Sequence, residues 1–100
     1  MDITVEELKH KMDAGENPIV IDVREQYEYD EFNIGARLIP LSTLPAHLEE
    51  FADDKDSEIK IHCRSGQRSA TAKAIMQGAG FTNVRNLLGG MVDWQLKFGK

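Results

Sequence analysis

The sequence is short of several things, and each shortage closes off a class. It holds one cysteine, Cys63, in 100 residues. A single thiol permits no internal disulfide and no paired-cysteine metal site. The three histidines, His10, His47 and His62, are scattered without ligand spacing. Positive charge is in deficit: 12 Lys and Arg against 17 Asp and Glu leave a formal net charge of −5. That balance argues against nucleic acid as a partner. No apolar run approaches the ~18 residues of a membrane span, so no membrane partner is expected. Met1-Asp2-Ile3-Thr4-Val5-Glu6-Glu7 carries neither a basic nor an apolar leader region, and the expected location is cytoplasmic. Linkers, internal repeats and low-complexity tracts are missing too. With 41% hydrophobic and 29% charged residues, the expectation is one ordinary globular domain over residues 1–100, large enough for a modest core.

What is present centres on Ile59-Lys60-Ile61-His62-Cys63-Arg64-Ser65-Gly66-Gln67-Arg68-Ser69-Ala70. The alternating Ile59 and Ile61 predict a short strand ending at His62. From residue 68 to 79 the composition turns helical. The thiol therefore sits at the mouth of a polar loop between a strand and a helix N-terminus. Successive N–H groups in such a turn form an anion-binding nest, and the first helical turn adds its unpaired N–H groups and positive dipole end. A free thiol titrates near ~8.5, and lowering it by about two units needs only roughly 2.7 kcal/mol. A lone cysteine is commonly a small buried hydrophobe. Here Arg64, Ser65, Gly66, Gln67 and Arg68 cannot follow a core residue inward, so Cys63 is read as a nucleophilic thiolate.

Around this stretch the chain alternates strand and helix. Thr4 and Glu7 form a capping box opening a helix with Val5, Leu8 and Met12 on its inner face, ended by Gly15 and the Glu16-Asn17-Pro18 break. Residues 19–23 are a β-branched run, the signature of a strand buried on both faces of a parallel sheet. Gln26 to Phe32 predicts one or two helical turns, with Tyr27, Tyr29 and Phe32 covering a sheet edge. Residues 37–39 give a second strand, stopped by Pro40. Ser42 or Thr43 caps the next helix, with Pro45 in its first turn and Leu44, Leu48 and Phe51 inward; residues 52–57 form a solvated acidic loop. In the helix after the cysteine, Ser69, Lys73 and Gln77 fall on one polar stripe. Residues 84–87 are the last strand, and Gly89-Gly90 leads into a terminal helix with Met91, Trp94 and Phe98, Trp94 being read as core. This is an α/β fold with a mostly parallel central sheet and helices on both faces, its strand C-termini on one rim. Asp22 and Arg24 end the first strand on that rim. Asp22 either accepts backbone hydrogen bonds near the loop or closes a plain turn. Arg24 is either a substrate contact or, as favoured here, a solvated salt-bridge partner.

Ile21-Asp22-Val23-Arg24-Glu25 before Glu28-Tyr29, the loop Cys63-Arg64-Ser65-Gly66-Gln67-Arg68-Ser69, Gly80-Phe81, and Leu87-Leu88-Gly89-Gly90 with Trp94 resemble a single-domain rhodanese. The match follows the family's order through nearly the whole chain. It departs at Phe32-Asn33-Ile34-Gly35-Ala36, where the family often has Gly-His-Ile-Pro-Gly-Ala. The resemblance implies a thiosulfate sulfurtransferase in which Cys63 carries sulfur as a persulfide. The loop N–H groups of Ser65, Gly66 and Gln67 would cradle it, and Arg64 and Arg68 would contact substrate. Asp22 and Arg24 would support the site. Partners would be a small-molecule sulfur donor and a cyanide or thiol acceptor, with a protein persulfide partner as a further candidate. No metal or organic cofactor is expected. Two rivals stand beside this reading. Cysteine phosphatases and arsenate reductases place an Arg after five residues following His-Cys; here Arg68 comes one residue early and Ser69 holds that position. The other rival is a persulfide carrier module serving a partner protein.

Overall fold

The computed structural model describes residues 1–16 and 19–99. Asn17 and Pro18, expected to break the first helix, lie outside them. Helix α1 (Val5–Asp13) opens at the expected cap, the Thr4 hydroxyl accepting the Glu7 N–H at 3.1 Å with Val5 and Leu8 buried, but the Glu7 carboxylate turns to Arg85 instead of completing the capping box. Strand β1 (Ile19–Asp22) is followed by α2 (Gln26–Glu31), β2 (Arg37–Leu38) and a short α3 (Leu44–His47). Pro45 sits in the first turn of α3, as expected, while Thr43 Oγ1 turns to the Pro40 carbonyl at 2.9 Å instead of capping. The predicted acidic loop is in part 3-10 turns, Leu48–Asp54. Then come β3 (Ile59–His62), α4 (Gln67–Gly78), β4 (Val84–Asn86) and α5 (Gly90–Phe98).

The four strands form one parallel sheet in the order β2-β1-β3-β4. Its register aligns Asp22 with His62, and Ile61 with Asn86. Three strand C-termini therefore arrive together on one rim, and Cys63 is the residue that follows. The period of two in the strands divides the core. Ile21, Ile59 and Ile61 pack with Leu44, Ala72 and Met76 on one face. Val20 joins Val5, Leu8, Met91 and Trp94 on the other. Trp94 is core, as read. Burial of each such large apolar side chain contributes about 1.5–3 kcal/mol. Every residue of β3 is buried, Lys60 included; its ammonium reaches Glu58 at the strand entrance, an amphipathic stem keeping its charged tip outward.

Candidate active site

Cys63 is 1% exposed and lies at the floor of the loop joining β3 to α4. Its Sγ accepts the Gly66 N–H at 3.1 Å and the Ser69 N–H at 3.4 Å. Ser69 is in the first turn of α4, so the sulfur takes the place of an N-cap acceptor at the positive end of the helix. Gly66 caps α4 with φ +110°, a conformation that glycine adopts without steric cost. That turn is what swings its N–H onto the sulfur.

A second layer fixes the first. Ser69 Oγ lies 3.4 Å from Sγ and donates to Asn86 Oδ1 at 2.5 Å. Asn86 Nδ2 donates to the Gly66 carbonyl at 3.1 Å. Both Ser69 and Asn86 are buried. The polar stripe expected of Ser69, Lys73 and Gln77 is therefore corrected: Ser69 turns inward to the sulfur, while Gln77 is exposed and Lys73 pairs with Asp2. Burial pushes the Cys63 thiol up, but the Ser69 hydroxyl and the N–H groups of Ser69, Gly66 and Ser65 outweigh it. The net effect holds Cys63 below the ordinary thiol value. Sulfur reactivity should therefore rise with pH through a midpoint below that of free cysteine. On ionisation of the thiol the Ser69 hydroxyl can turn its one proton from Asn86 to Sγ, so Ser69→Ala removes a donor to the charged sulfur and that midpoint should move up. The rate of Cys63 alkylation against pH measures it; an unmoved midpoint would leave Ser69 a purely structural residue.

Arg24 is buried, against the expectation of a solvated partner. Its guanidinium meets the fully buried Asp22 carboxylate at 3.0 and 2.8 Å, and its Nη2 donates to the Phe32 carbonyl at 2.7 Å. Asp22 also accepts the Arg24 N–H at 3.0 Å, so it closes its own turn and its hydrogen bonds go to Arg24. Together the pair ties the end of β1 to the end of α2. Arg68 is likewise engaged: its Nη1 and Nη2 meet Glu28 Oε1 and Oε2 at 2.6 and 2.8 Å. Beside Arg68, the Glu28 carboxyl is lowered to about 2. Arg64 is exposed and has no side-chain partner among the described residues. Ser65 and Gln67 are also exposed.

His62 precedes the thiol and is wholly buried, with neither ring nitrogen hydrogen-bonded. Its Nε2 stands 3.7 Å from Asp22 Oδ2. Burial lowers its pKa from 6.5 to about 4, against the pull of Asp22. Between those values the unfolded chain binds a proton that the folded chain refuses. Stability should therefore fall as pH drops from 6.5 towards 4, by about 3 kcal/mol in all. His62→Leu should flatten that part of the stability–pH curve in urea melts and cost little at pH 7, because the lost ring nitrogens were unpaired. A slope retained in His62→Leu would place the proton uptake elsewhere.

Sequence reasoning found the loop and missed four of its supports: Ser69, Asn86, Glu28 and Gly90. The terminal helix packs directly on the loop backbone, with the Met91 N–H on the Cys63 carbonyl at 3.0 Å and the Val92 N–H on the Arg64 carbonyl at 2.9 Å. Glu28, Ser69 and Gly90 lie in the stretches that carry the family resemblance, and Asn86 is a buried polar residue of β4 beside Arg85.

A parallel α/β sheet with a cysteine cradled at the strand rim by a helix N-terminus defines a class of α/β domains with a thiol-bearing loop. Within it, the chain belongs to the rhodanese-like domain family, whose model matches residues 4–97. Its relatives include YrkF of Bacillus subtilis, a sulfur carrier protein by its name, at 38% identity over 93% of this chain. The chain spans half of that relative's length. The thiosulfate sulfurtransferase PspE of Escherichia coli is 35% identical over 80% of this chain and 75% of its own. The crystal structure of a rhodanese-like domain protein from Staphylococcus aureus superposes with a TM-score of 0.84 at 34% identity, covering 94% of this chain and 91% of that one. Among the described residues no helix is long and apolar enough to cross a membrane.

Proposed function

We propose that the protein is a sulfurtransferase whose Cys63 takes a sulfane sulfur from thiosulfate or a persulfide donor and passes it to cyanide or a thiol. The observation that carries this is the sulfur cradle: Sγ receives two backbone N–H groups and lies beside a hydroxyl at the start of α4. With thiosulfate, the Cys63 thiolate attacks the outer sulfur. The Sγ–S bond forms, the donor's S–S bond breaks, and sulfite leaves with the electron pair. The step is nucleophilic catalysis that divides one transfer into two. The persulfide then carries its charge on the outer sulfur, where the Ser65, Gly66 and Gln67 backbone and the α4 dipole stabilise it without reorganising. An acceptor nucleophile removes that sulfur and returns the thiolate. A cytoplasmic location belongs to the same reading, because an unpaired catalytic thiol persists in a reducing compartment.

The test is intact mass measurement after thiosulfate treatment. Cys63 should gain the mass of one sulfur atom, and cyanide added afterwards should remove it. A protein that takes up no sulfur from thiosulfate or from a persulfide would overturn the reading. The carrier reading is favoured by one observation: Glu28 engages Arg68, leaving fewer open cations for a small anionic donor. Rapid single loading of Cys63 with slow turnover on free thiosulfate and cyanide would select it.

A further inference from the structure

We propose that Asn86 is a positioning residue for Cys63: by claiming the proton of the Ser69 hydroxyl, it makes the resting thiol the donor to Ser69 and holds that thiol back from ionising. The proposal rests on the sulfurtransferase reading for the role of Cys63 and adds the residue that sets how readily its sulfur is freed.

Asn86 is buried and its backbone is fixed. Its N–H donates to Asp2 Oδ1 at 3.0 Å, and its carbonyl accepts the Ile3 N–H at 3.0 Å. Lys73 of α4 holds the same Asp2 carboxylate at 2.7 Å. The direction of the side-chain hydrogen bonds then follows from donor chemistry. One end of the carboxamide meets the Gly66 carbonyl, which only accepts and already receives the Ala70 N–H at 3.0 Å. The NH2 end must therefore face Gly66, at 3.1 Å, and the oxygen must face Ser69. An amide oxygen donates nothing, so at 2.5 Å the hydroxyl gives it its one proton. Ser69 Oγ is left with lone pairs towards Sγ, 3.4 Å away, and the neutral thiol becomes the donor.

The chain from Cys63 S–H through Ser69 O–H to Asn86 Oδ1 is complete only while Cys63 is protonated. On ionisation the hydroxyl turns its proton to the sulfur, and the Ser69 and Asn86 oxygens face each other with no proton between them. That loss falls on the thiolate alone. The Gly66 and Ser69 N–H groups pull the other way, so the acidity of Cys63 is a balance with Asn86 on the protonated side. Sulfur transfer needs such a balance, because a thiolate of lower pKa leaves faster but attacks more weakly.

The charges around the thiol are otherwise engaged. Arg68 of α4, whose charge bears on Cys63, is bound by Glu28 of α2. Asp22 and Arg24 of β1 pair with each other, and Arg85 of β4 pairs with Glu7 and Glu58. His62 of β3 stays neutral at pH 7, and α5 meets the loop with the Met91 and Val92 N–H groups. Arg64 on the loop is exposed. Among the described residues none of these hydrogen-bonds the Asn86 carboxamide, so replacing it reads the chain through Ser69.

The rate of Cys63 alkylation against pH, on the full chain, tests the assignment. Asn86→Leu keeps the branched shape, leaves Gly66 its Ala70 donor and frees the Ser69 hydroxyl for the sulfur. The midpoint should fall by about half to one unit. The plateau rate above it should drop about twofold, as the thiolate becomes less nucleophilic. A residue that only props the loop gives the opposite sign, since a loosened Gly66 N–H lets the midpoint rise towards free cysteine. In a Ser69→Ala background, Asn86→Leu should leave the midpoint where Ser69→Ala alone puts it. Should Asn86→Leu fail to fold, Asn86→Ala removes the same carboxamide without added bulk and carries the same expected sign. A midpoint unmoved or raised by the Asn86 change, or an equal shift with and without Ser69, overturns the assignment. Sulfur uptake by the wild type is read separately by intact mass. Its absence overturns the sulfurtransferase reading, while the alkylation midpoints still decide on Asn86.

Discussion

Cys63→Ser should leave a folded protein that takes up no sulfur. The serine hydroxyl is smaller than the thiol and accepts hydrogen bonds at least as well, so the Gly66 and Ser69 N–H groups keep an acceptor. Stability should change by no more than about 1 kcal/mol. Chemistry is another matter. The cradle lowers the pKa of a thiol that starts near ~8.5, and no arrangement of three or four hydrogen bonds brings an alcohol into that range. An oxygen nucleophile also forms no stable bond to the sulfane sulfur. After treatment with thiosulfate, and separately with glutathione persulfide, intact mass should show no added sulfur, and sulfur transfer should fall to background. Transfer near the wild-type rate in a clean preparation would remove Cys63 from the mechanism.

The loop was legible because its signals are local. The Ile59–Ile61 alternation, the polar run after Cys63 and the alanine-rich stretch that follows all lie within about one strand and one helix. The same holds for the Thr4 cap and the β-branched run of β1. The site's supports were illegible for the opposite reason. Glu28 and Arg68 are 40 residues apart, and Ser69 and Asn86 are 17 apart. Those pairs meet only because the sheet order sets β3 between β1 and β4. Helical periodicity placed Ser69 with Lys73 and Gln77, yet periodicity describes a face and not what covers its first turn. At the N-terminus of α4 that face meets the sulfur and Asn86. A turn later it meets Asp2 and solvent. Arg24 was read as solvated because a strand-end arginine usually is. Burial at 5% exposure required the Glu28 and Phe32 carbonyls and the Asp22 carboxylate to converge on it, a condition set by tertiary structure.

Gly90→Ala should be the most disruptive single change outside the thiol itself. Gly90 begins α5 with φ +53°, a conformation costing a side-chain-bearing residue roughly 1–2 kcal/mol. Space is the graver constraint. A Cβ on Gly90 would stand 2.5 Å from the Cys63 carbonyl oxygen and 2.7 Å from that of Arg64. Those atoms are backbone, and the Met91 and Val92 N–H groups hold both carbonyls from the same helix turn. Neither side can rotate away as a flexible side chain would. The helix must withdraw or the loop must shift. Overpacking of this kind adds about 1–3 kcal/mol, so the total loss of stability should be about 2–5 kcal/mol. If the helix withdraws, the Cys63 and Arg64 carbonyls lose their donors; if the loop shifts, Sγ moves off the Gly66 and Ser69 N–H groups. Either way the thiol should titrate closer to free cysteine, and the persulfidation rate should drop at least about tenfold. Urea melts and the pH dependence of Cys63 alkylation measure the two effects on one preparation. A variant with wild-type stability, an unmoved alkylation midpoint and full sulfur uptake would show that the close contact between α5 and the loop does not organise the cradle.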